Sequence, residues 1–105
     1  MTWLPITDET VASWGRHLRA RNLSPRTVEI YTTAAQALAN RTGQPWERLT
    51  TADVEKHIAA LVESSAGYAS NQYRALAQFF RWLADEDELS NPMAGMRPPL
   101  VPDQP

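Results

Sequence analysis

The clearest hydrophobic pattern in the chain lies in its last third. Apolar side chains recur there at steps of three and four residues, which is the period of a helix with one buried face. These side chains are Tyr73, Leu76, Phe79, Phe80 and Leu83. The opposite face carries Asn71, Arg74, Gln78 and Arg81. The pattern predicts a helix over residues 68–89, with Ser70 as its N-cap, whose apolar face needs partners from the rest of the chain.

Two further helical patterns open the chain. Thr7 is suited to cap a first helix over residues 8–21. Ser24 followed by Pro25 is a start signal for a second helix that runs to about residue 41, because proline needs no N–H partner at the first helical position. The apolar positions expected to face inward are Val11, Trp14, Leu18, Val28, Tyr31, Ala35 and Leu38.

A third helical pattern precedes the last helix. Thr50 and Asp53 have the spacing of a capping box, which predicts a helix from there to about Glu63, followed by a loop at residues 64–67. A short turn before the box is expected to return two apolar side chains to the core. The inward residues of this region are Trp46, Leu49, Val54, Ile58 and Leu61. No strand or repeat pattern is present, so the predicted fold class is all-α, a compact bundle of four main helices.

The composition narrows the class of protein. A chain of 105 residues with 43% hydrophobic content is large enough to form a single globular domain with its own core. It contains no cysteine, which excludes disulfides and cysteine-ligated metals. Its N-terminal stretch lacks the pattern of a signal peptide, and no apolar run is long enough to cross a membrane. These features predict a cytoplasmic domain with no membrane partner.

The charges are distributed unevenly along the chain. The net charge of −2 argues mildly against nucleic-acid binding. However, four of the twelve acidic residues lie in one run, residues 85–88, at the end of the last predicted helix. The segment 12–28 is basic and holds no acid; its cationic residues and histidine are Arg16, His17, Arg19, Arg21 and Arg26. The net charge therefore conceals a basic sector.

The sequence offers no set of residues for catalysis. His17 and His57 fall on separate helices, without a serine–aspartate arrangement or metal-ligand spacing, and both are expected to face solvent. The acidic run lacks the spacing of a calcium loop, and no glycine-rich phosphate loop is present. We therefore expect no catalytic residue, metal, cofactor or small-molecule substrate for this chain.

Binding signals are stronger at two helix starts. Arg19 and Arg21 precede the second predicted helix, whose first turn contains Ser24, Arg26 and Thr27. A helix N-terminus favours phosphate because its N–H groups are free and its dipole is positive there.

The first turns of the last helix carry a second polar cluster. Its members are Ser70, Asn71, Gln72 and Arg74. Such side chains contact phosphates and base edges when a helix end enters the major groove of DNA. Arg81 extends the same polar face, so these residues are candidates for DNA binding.

Four short blocks in this order resemble the N-terminal core-binding domain, a SAM-like helical domain, of tyrosine recombinases of the phage integrase family. The first is the segment 23–27 followed by Tyr31, and the second is the segment 49–54 that opens a helix. The third is the segment 79–83 with the acids after it. The fourth is Asn91-Pro92-Met93 with the proline-rich exit that follows. Together these blocks cover the chain from about Val11 to Pro99.

The resemblance implies that DNA binding and catalysis are carried out by different domains. Residues 1–96 would form a SAM-like bundle of four to five helices that binds double-stranded DNA as one jaw of a clamp. Residues 97–105, with four prolines, would form an extended linker toward a separate C-terminal domain that carries out strand cleavage and rejoining. Other recombinase protomers would be partners when assembled on DNA. Tyr31, Tyr68 and Tyr73 would then not be the catalytic nucleophile.

The sequence departs from the family pattern on the last helix. Asn71, Gln72 and Ala77 stand where relatives often have basic residues, while Arg74 takes a position that is usually small. With fewer charges to neutralise phosphates, binding by the isolated domain should be weak.

A second hypothesis is a helical protein–protein interaction domain with no DNA role, which the acidic net charge and the acidic run favour. The two hypotheses differ in where the arginines should fall on the folded surface. Convergence on one concave side supports DNA binding, whereas scattering supports protein binding. The arginines that decide this are Arg19, Arg21, Arg26, Arg74 and Arg81.

Overall fold

The computed structural model describes residues 5–102 and contains four α-helices and one short 3₁₀ helix, with no strand in that range. In chain order these are α1 (Glu9–Ala20), α2 (Pro25–Thr42), the 3₁₀ helix (Trp46–Arg48), α3 (Thr51–Ser64) and α4 (Ala66–Asp87). Helix α4 packs against α2 and α3, and α1 packs against α2. The predicted all-α bundle is confirmed.

The helix starts follow from capping chemistry. Ser24 caps α2 with Pro25 at the first helical position, and Thr50 and Asp53 form the predicted reciprocal capping box of α3. Helix α1 is capped by Asp8, whose Oδ1 accepts the Val11 N–H at 3.1 Å, and not by Thr7 as predicted. A carboxylate is a good acceptor at the positive end of the helix dipole, so Asp8 is the better cap of the two.

The predicted N-cap of α4, Ser70, is five residues too late, because Ser65 is the cap. Ser65 alone separates α3 from α4, so residues 64–67 do not form a loop. Ser65 takes an extended backbone conformation (φ −166°) that ends α3, and its Oγ then accepts the Tyr68 N–H at 3.1 Å to cap α4. Ser70 lies inside the helix, where it is 8% exposed, and α4 ends at Asp87 because Glu88 turns into the left-handed region (φ 54°).

An aromatic cluster centred on Phe79 forms the middle of the core. The Phe79 ring is fully buried and makes edge contacts with Trp14 at 5.0 Å, Trp46 at 4.7 Å and Phe80 at 5.2 Å between ring centroids. Edge-to-face contacts are the favoured geometry because they bring a positive ring edge to a negative ring face. The expectation that Trp46 and Leu49 return to the core is confirmed, since both are buried.

A buried glutamine, which the sequence patterns did not reveal, attaches the N-terminal segment to α2. Gln36 Oε1 accepts the backbone N–H groups of Thr7 and Asp8, both at 3.0 Å, and its Nε2 donates to Asn40 Oδ1 at 2.9 Å. The Trp46 Nε1–H donates to Asp8 Oδ1 at 3.1 Å. The polar atoms of Gln36 are therefore satisfied although the residue is 2% exposed.

The chain after α4 folds back over the start of α3. Thr51 Oγ1 donates to the Pro92 carbonyl at 2.6 Å, and Met93 is buried in the core. Residues 97–102 carry no regular secondary structure, which agrees with the predicted extended segment. Residues 1–4 of the predicted domain and 103–105 of the predicted linker lie outside the described residues, and the division at residue 96 stays a prediction. No helix within the described range is long and apolar enough to cross a membrane.

We expect Phe79→Ala to lower the free energy of unfolding by about 3–5 kcal/mol, because it removes the ring that touches three others and leaves a cavity. Urea unfolding followed by tryptophan fluorescence measures this. Glu86→Ala, on the exposed side of the same helix, is the control and should change stability by less than about 0.5 kcal/mol. Equal midpoints for both variants would contradict the assignment of the buried face.

Candidate nucleic-acid interface

The exposed face of α4 presents two arginines separated by two helical turns. Arg74 and Arg81 are exposed, and Gln78 lies between them on the same face at helical spacing. The Gln78 Nε2 donates to the Tyr31 hydroxyl at 3.2 Å, which connects this face of α4 to α2. At 1.5 Å per residue, the two arginines are about 10 Å apart along the helix axis, so they would reach different phosphates.

Two connected grooves run along this face. The first, which we name the α4 groove, is lined by Tyr31, Ser70, Tyr73, Arg74, Ala77, Gln78, Arg81, Pro98, Pro99 and Val101. The second, the α1–α4 groove, is lined by Trp14, His17, Leu18, Arg21, Gln78, Arg81, Trp82, Asp85 and Glu86. Gln78 and Arg81 belong to both grooves. The surface therefore joins Arg21, the residue that follows α1, to Arg81 and Arg74 of α4, and ends at two acidic side chains.

The other two arginines of the predicted set lie apart from this surface. Arg19 lines a separate groove between α1 and α2 that also contains Pro25, and Arg26 is exposed but lines neither groove of the α4 face. Convergence is therefore partial: the grooves of the α4 face bring together Arg21, Arg74 and Arg81.

The start of α2 offers fewer free N–H groups than the sequence suggested. Pro25 has none, the Thr27 N–H donates to Ser24 Oγ at 3.1 Å, and the Val28 N–H donates to the Ser24 carbonyl at 3.0 Å. The Ser24 hydroxyl also donates to Thr27 Oγ1 at 2.9 Å. Among the backbone N–H groups of residues 25–28, only that of Arg26 has no partner in the described hydrogen bonds. A phosphate could therefore bind this N–H together with the Arg26 guanidinium.

The polar cluster predicted on the first turns of α4 is divided between two sides of the helix. Asn71 is exposed near Arg74, whereas Gln72 is 7% exposed and lies on the side packed toward α3. Residues two positions apart point to nearly opposite sides of a helix, so Gln72 and Arg74 cannot share a face. Ser70 is largely buried but still lines the α4 groove.

Both histidines are less exposed than predicted. His17 is half-buried beside the Trp82 ring, with 5.9 Å between ring centroids. His57 is 2% exposed, and within the described residues neither ring nitrogen has a hydrogen-bond partner. Burial and, to a lesser extent, the positive charge of Arg41 together lower the pKa of His57 from 6.5 to about 4. No group of three or more metal-ligating side chains comes together in residues 5–102.

The His57 pKa predicts a pH-dependent stability. The unfolded chain takes up a proton at His57 near pH 6.5, but the folded domain does so only near pH 4. The part of the free energy of unfolding that depends on a neutral His57 is therefore complete above about pH 6.5 and is lost as the pH falls toward 4. The loss amounts to up to about 3 kcal/mol, at roughly 1.4 kcal/mol per pKa unit. Arg41 from α2 opposes the same protonation, and Tyr68 and Gln72 of α4 line the groove beside it.

We expect His57→Leu to flatten the pH dependence of the free energy of unfolding between pH 6.5 and 4, because leucine cannot be protonated. Urea titrations at a series of pH values measure the slope. His17→Gln is the matched control and should retain the wild-type slope. Equal slopes for wild type and His57→Leu would show that His57 is not buried in its neutral form.

The chain matches the model of a known protein family. The family model described as "Phage integrase, N-terminal SAM-like domain" matches residues 11–88, which includes all four α-helices apart from the first two residues of α1. The chain therefore belongs to this family, and the resemblance seen in its four sequence blocks is confirmed.

A solved structure of an integrase shares the fold. The integrase from mycobacterium phage Brujita superposes with a TM-score of 0.80 at 27% sequence identity, over 90% of this chain. The chain spans only 33% of that integrase, about a third of its length. A search of curated proteins found no significant match.

Proposed function

We propose that this chain is the DNA-binding module of a site-specific tyrosine recombinase, and that it holds the core recombination site while a separate C-terminal domain cleaves and rejoins the strands. Membership of the phage integrase N-terminal family supports the proposal. The observation that carries it is the α4 face. Arg74 and Arg81 project from one helix there, and Arg81 shares a groove with Arg21, the residue that follows α1.

The proposed contacts divide into two kinds. Arg21 and Arg81 would bind phosphates and fix the position of the domain, and Arg26 would bind another phosphate with its free backbone N–H. Asn71 and Arg74 lie in the second and third turns of α4, where a side chain reaches base edges if the N-terminal half of the helix enters the major groove. Gln72 is left out of the proposed interface because it faces the other side of α4.

The charge of the domain limits its affinity. The chain has 10 basic and 12 acidic residues, and Asp85 and Glu86 line one end of the α1–α4 groove. A few phosphate contacts on such a surface support only non-specific binding, with Kd on the order of 10⁻⁴–10⁻⁶ M near physiological salt. Tight binding would require the second jaw of the clamp and neighbouring protomers on the same site, which are the proposed partners.

We expect Arg74→Ala and Arg81→Ala each to weaken binding of the isolated domain to duplex DNA and to reduce the dependence of log K on log salt by about one. Non-specific binding depends on charge, and each substitution removes one positive charge from the α4 face, whichever part of the DNA that arginine meets at a specific site. Fluorescence anisotropy of a labelled duplex, titrated at several low salt concentrations, measures both quantities. Arg48→Ala removes the same charge from the exposed end of the 3₁₀ helix, away from both grooves, and is the matched control.

Three outcomes separate the hypotheses. Loss of binding in the two α4 variants, with the Arg48 variant close to wild type, supports the proposed face. Equal effects of all three substitutions would mean that DNA responds to net charge alone, without a defined interface. No binding by the wild-type domain at low salt would contradict DNA binding by this module and favour the protein-interaction alternative.

A further inference from the structure

The proline-rich tail borders the groove that contains the proposed DNA-contacting arginines. Pro98, Pro99 and Val101 line the α4 groove together with Arg74 and Arg81. The tail follows Met93, which is buried in the core near the start of α3. One wall of the α4 groove is therefore formed by a later part of the same chain.

The wall opposite the tail is aromatic and rigid. Tyr31 stacks on Trp14 with 5.9 Å between ring centroids and a 12° interplanar angle, and its hydroxyl accepts the hydrogen bond from Gln78. Tyr73, from α4, is 8% exposed and lines the same groove. Fixed tyrosine rings suit a proline-rich extended segment, which is preformed and loses little conformational entropy when it docks.

The tail is held without hydrogen bonds. Within the described residues no hydrogen bond involves 97–102, whereas the turn before it is held by the Thr51–Pro92 and Asn91–Met93 hydrogen bonds. The Leu100 side chain is 93% exposed and points away from the groove. The contact of the tail is therefore made by Pro98, Pro99 and Val101 alone, and it can open without disturbing the core.

We propose that the tail 97–102 docks along the α4 groove in the free protein, and that duplex DNA competes with the tail for this face. The second half rests on the proposed function. Arg74 and Arg81 are exposed beside the tail, but the tail narrows the space along them that a DNA backbone can enter, so DNA must first displace it. The apparent affinity for DNA is then reduced by the fraction of molecules in which the tail is docked.

A spin label on the tail tests docking directly. The chain has no cysteine, so Leu100→Cys provides a single attachment point for a nitroxide at an exposed position. In the free domain we expect the label to broaden the amide NMR signals of Tyr31, Arg74 and Arg81 relative to the same sample after chemical reduction of the nitroxide. Addition of a short duplex at low salt should remove the broadening.

A tail variant tests the competition. Pro98→Ser combined with Pro99→Ser removes the apolar contact without touching the core. We expect it to abolish the broadening and to raise DNA affinity severalfold, with an unchanged urea midpoint. Replacement of Pro102 by Ser, at a proline that does not line the groove, is the matched control and should leave affinity unchanged.

The outcomes distinguish this inference from the proposed function. Absence of broadening in the free domain, with DNA binding retained, overturns tail docking alone. Broadening that persists when DNA is bound, or an affinity that the double variant does not change, overturns the competition. A docked tail in a domain that binds no DNA contradicts the proposed function and the competition with it, and supports tail docking alone.

Discussion

Burial of the Phe79 ring is the interaction on which the rest of the structure depends. Its contacts with Trp14 of α1 and Trp46 of the 3₁₀ helix hold two otherwise separate parts of the chain against one side of α4. Arg74 and Arg81 lie on the side of α4 opposite Phe79. When the Phe79 ring is buried in the core, both arginines therefore face solvent. The core therefore determines which arginines can meet a ligand.

Helical periodicity was sufficient to predict the buried face of α4 and the fold class, because both follow from spacing alone. It could not place Ser65, since a single serine in extended conformation can end one helix and cap the next, and no spacing distinguishes that from a loop. His57 was misjudged from its polarity. Its position between Val54 and Ile58 and four residues before Leu61 already placed it on the inward stripe of α3, and that spacing was the available signal.

The candidate site was predictable to a lesser extent than the fold. Sequence identifies which residues are basic, and helical spacing groups Arg74 with Arg81. The link to Arg21 depends on the packing of α1 beside α4, which no local pattern encodes. The same holds for Arg19 and Arg26, which are neighbours of Arg21 in sequence but lie away from the α4 face. Tertiary packing therefore separates Arg21 from Arg19 and Arg26, although all three lie in the same basic segment of the sequence.

The charge on the exposed side of α4 changes from positive to negative along the helix, so the two ends of the proposed interface differ in their attraction for DNA. Arg74 and Arg81 precede Asp85 and Glu86 on the same helix, and the two acids share a groove with Arg21 and Arg81. A phosphate near Arg81 is attracted by two arginines and repelled by two carboxylates, whereas one near Arg74 meets no acid in its groove. Under the proposed function, DNA is therefore favoured toward the N-terminal half of α4, where Asn71 is also exposed.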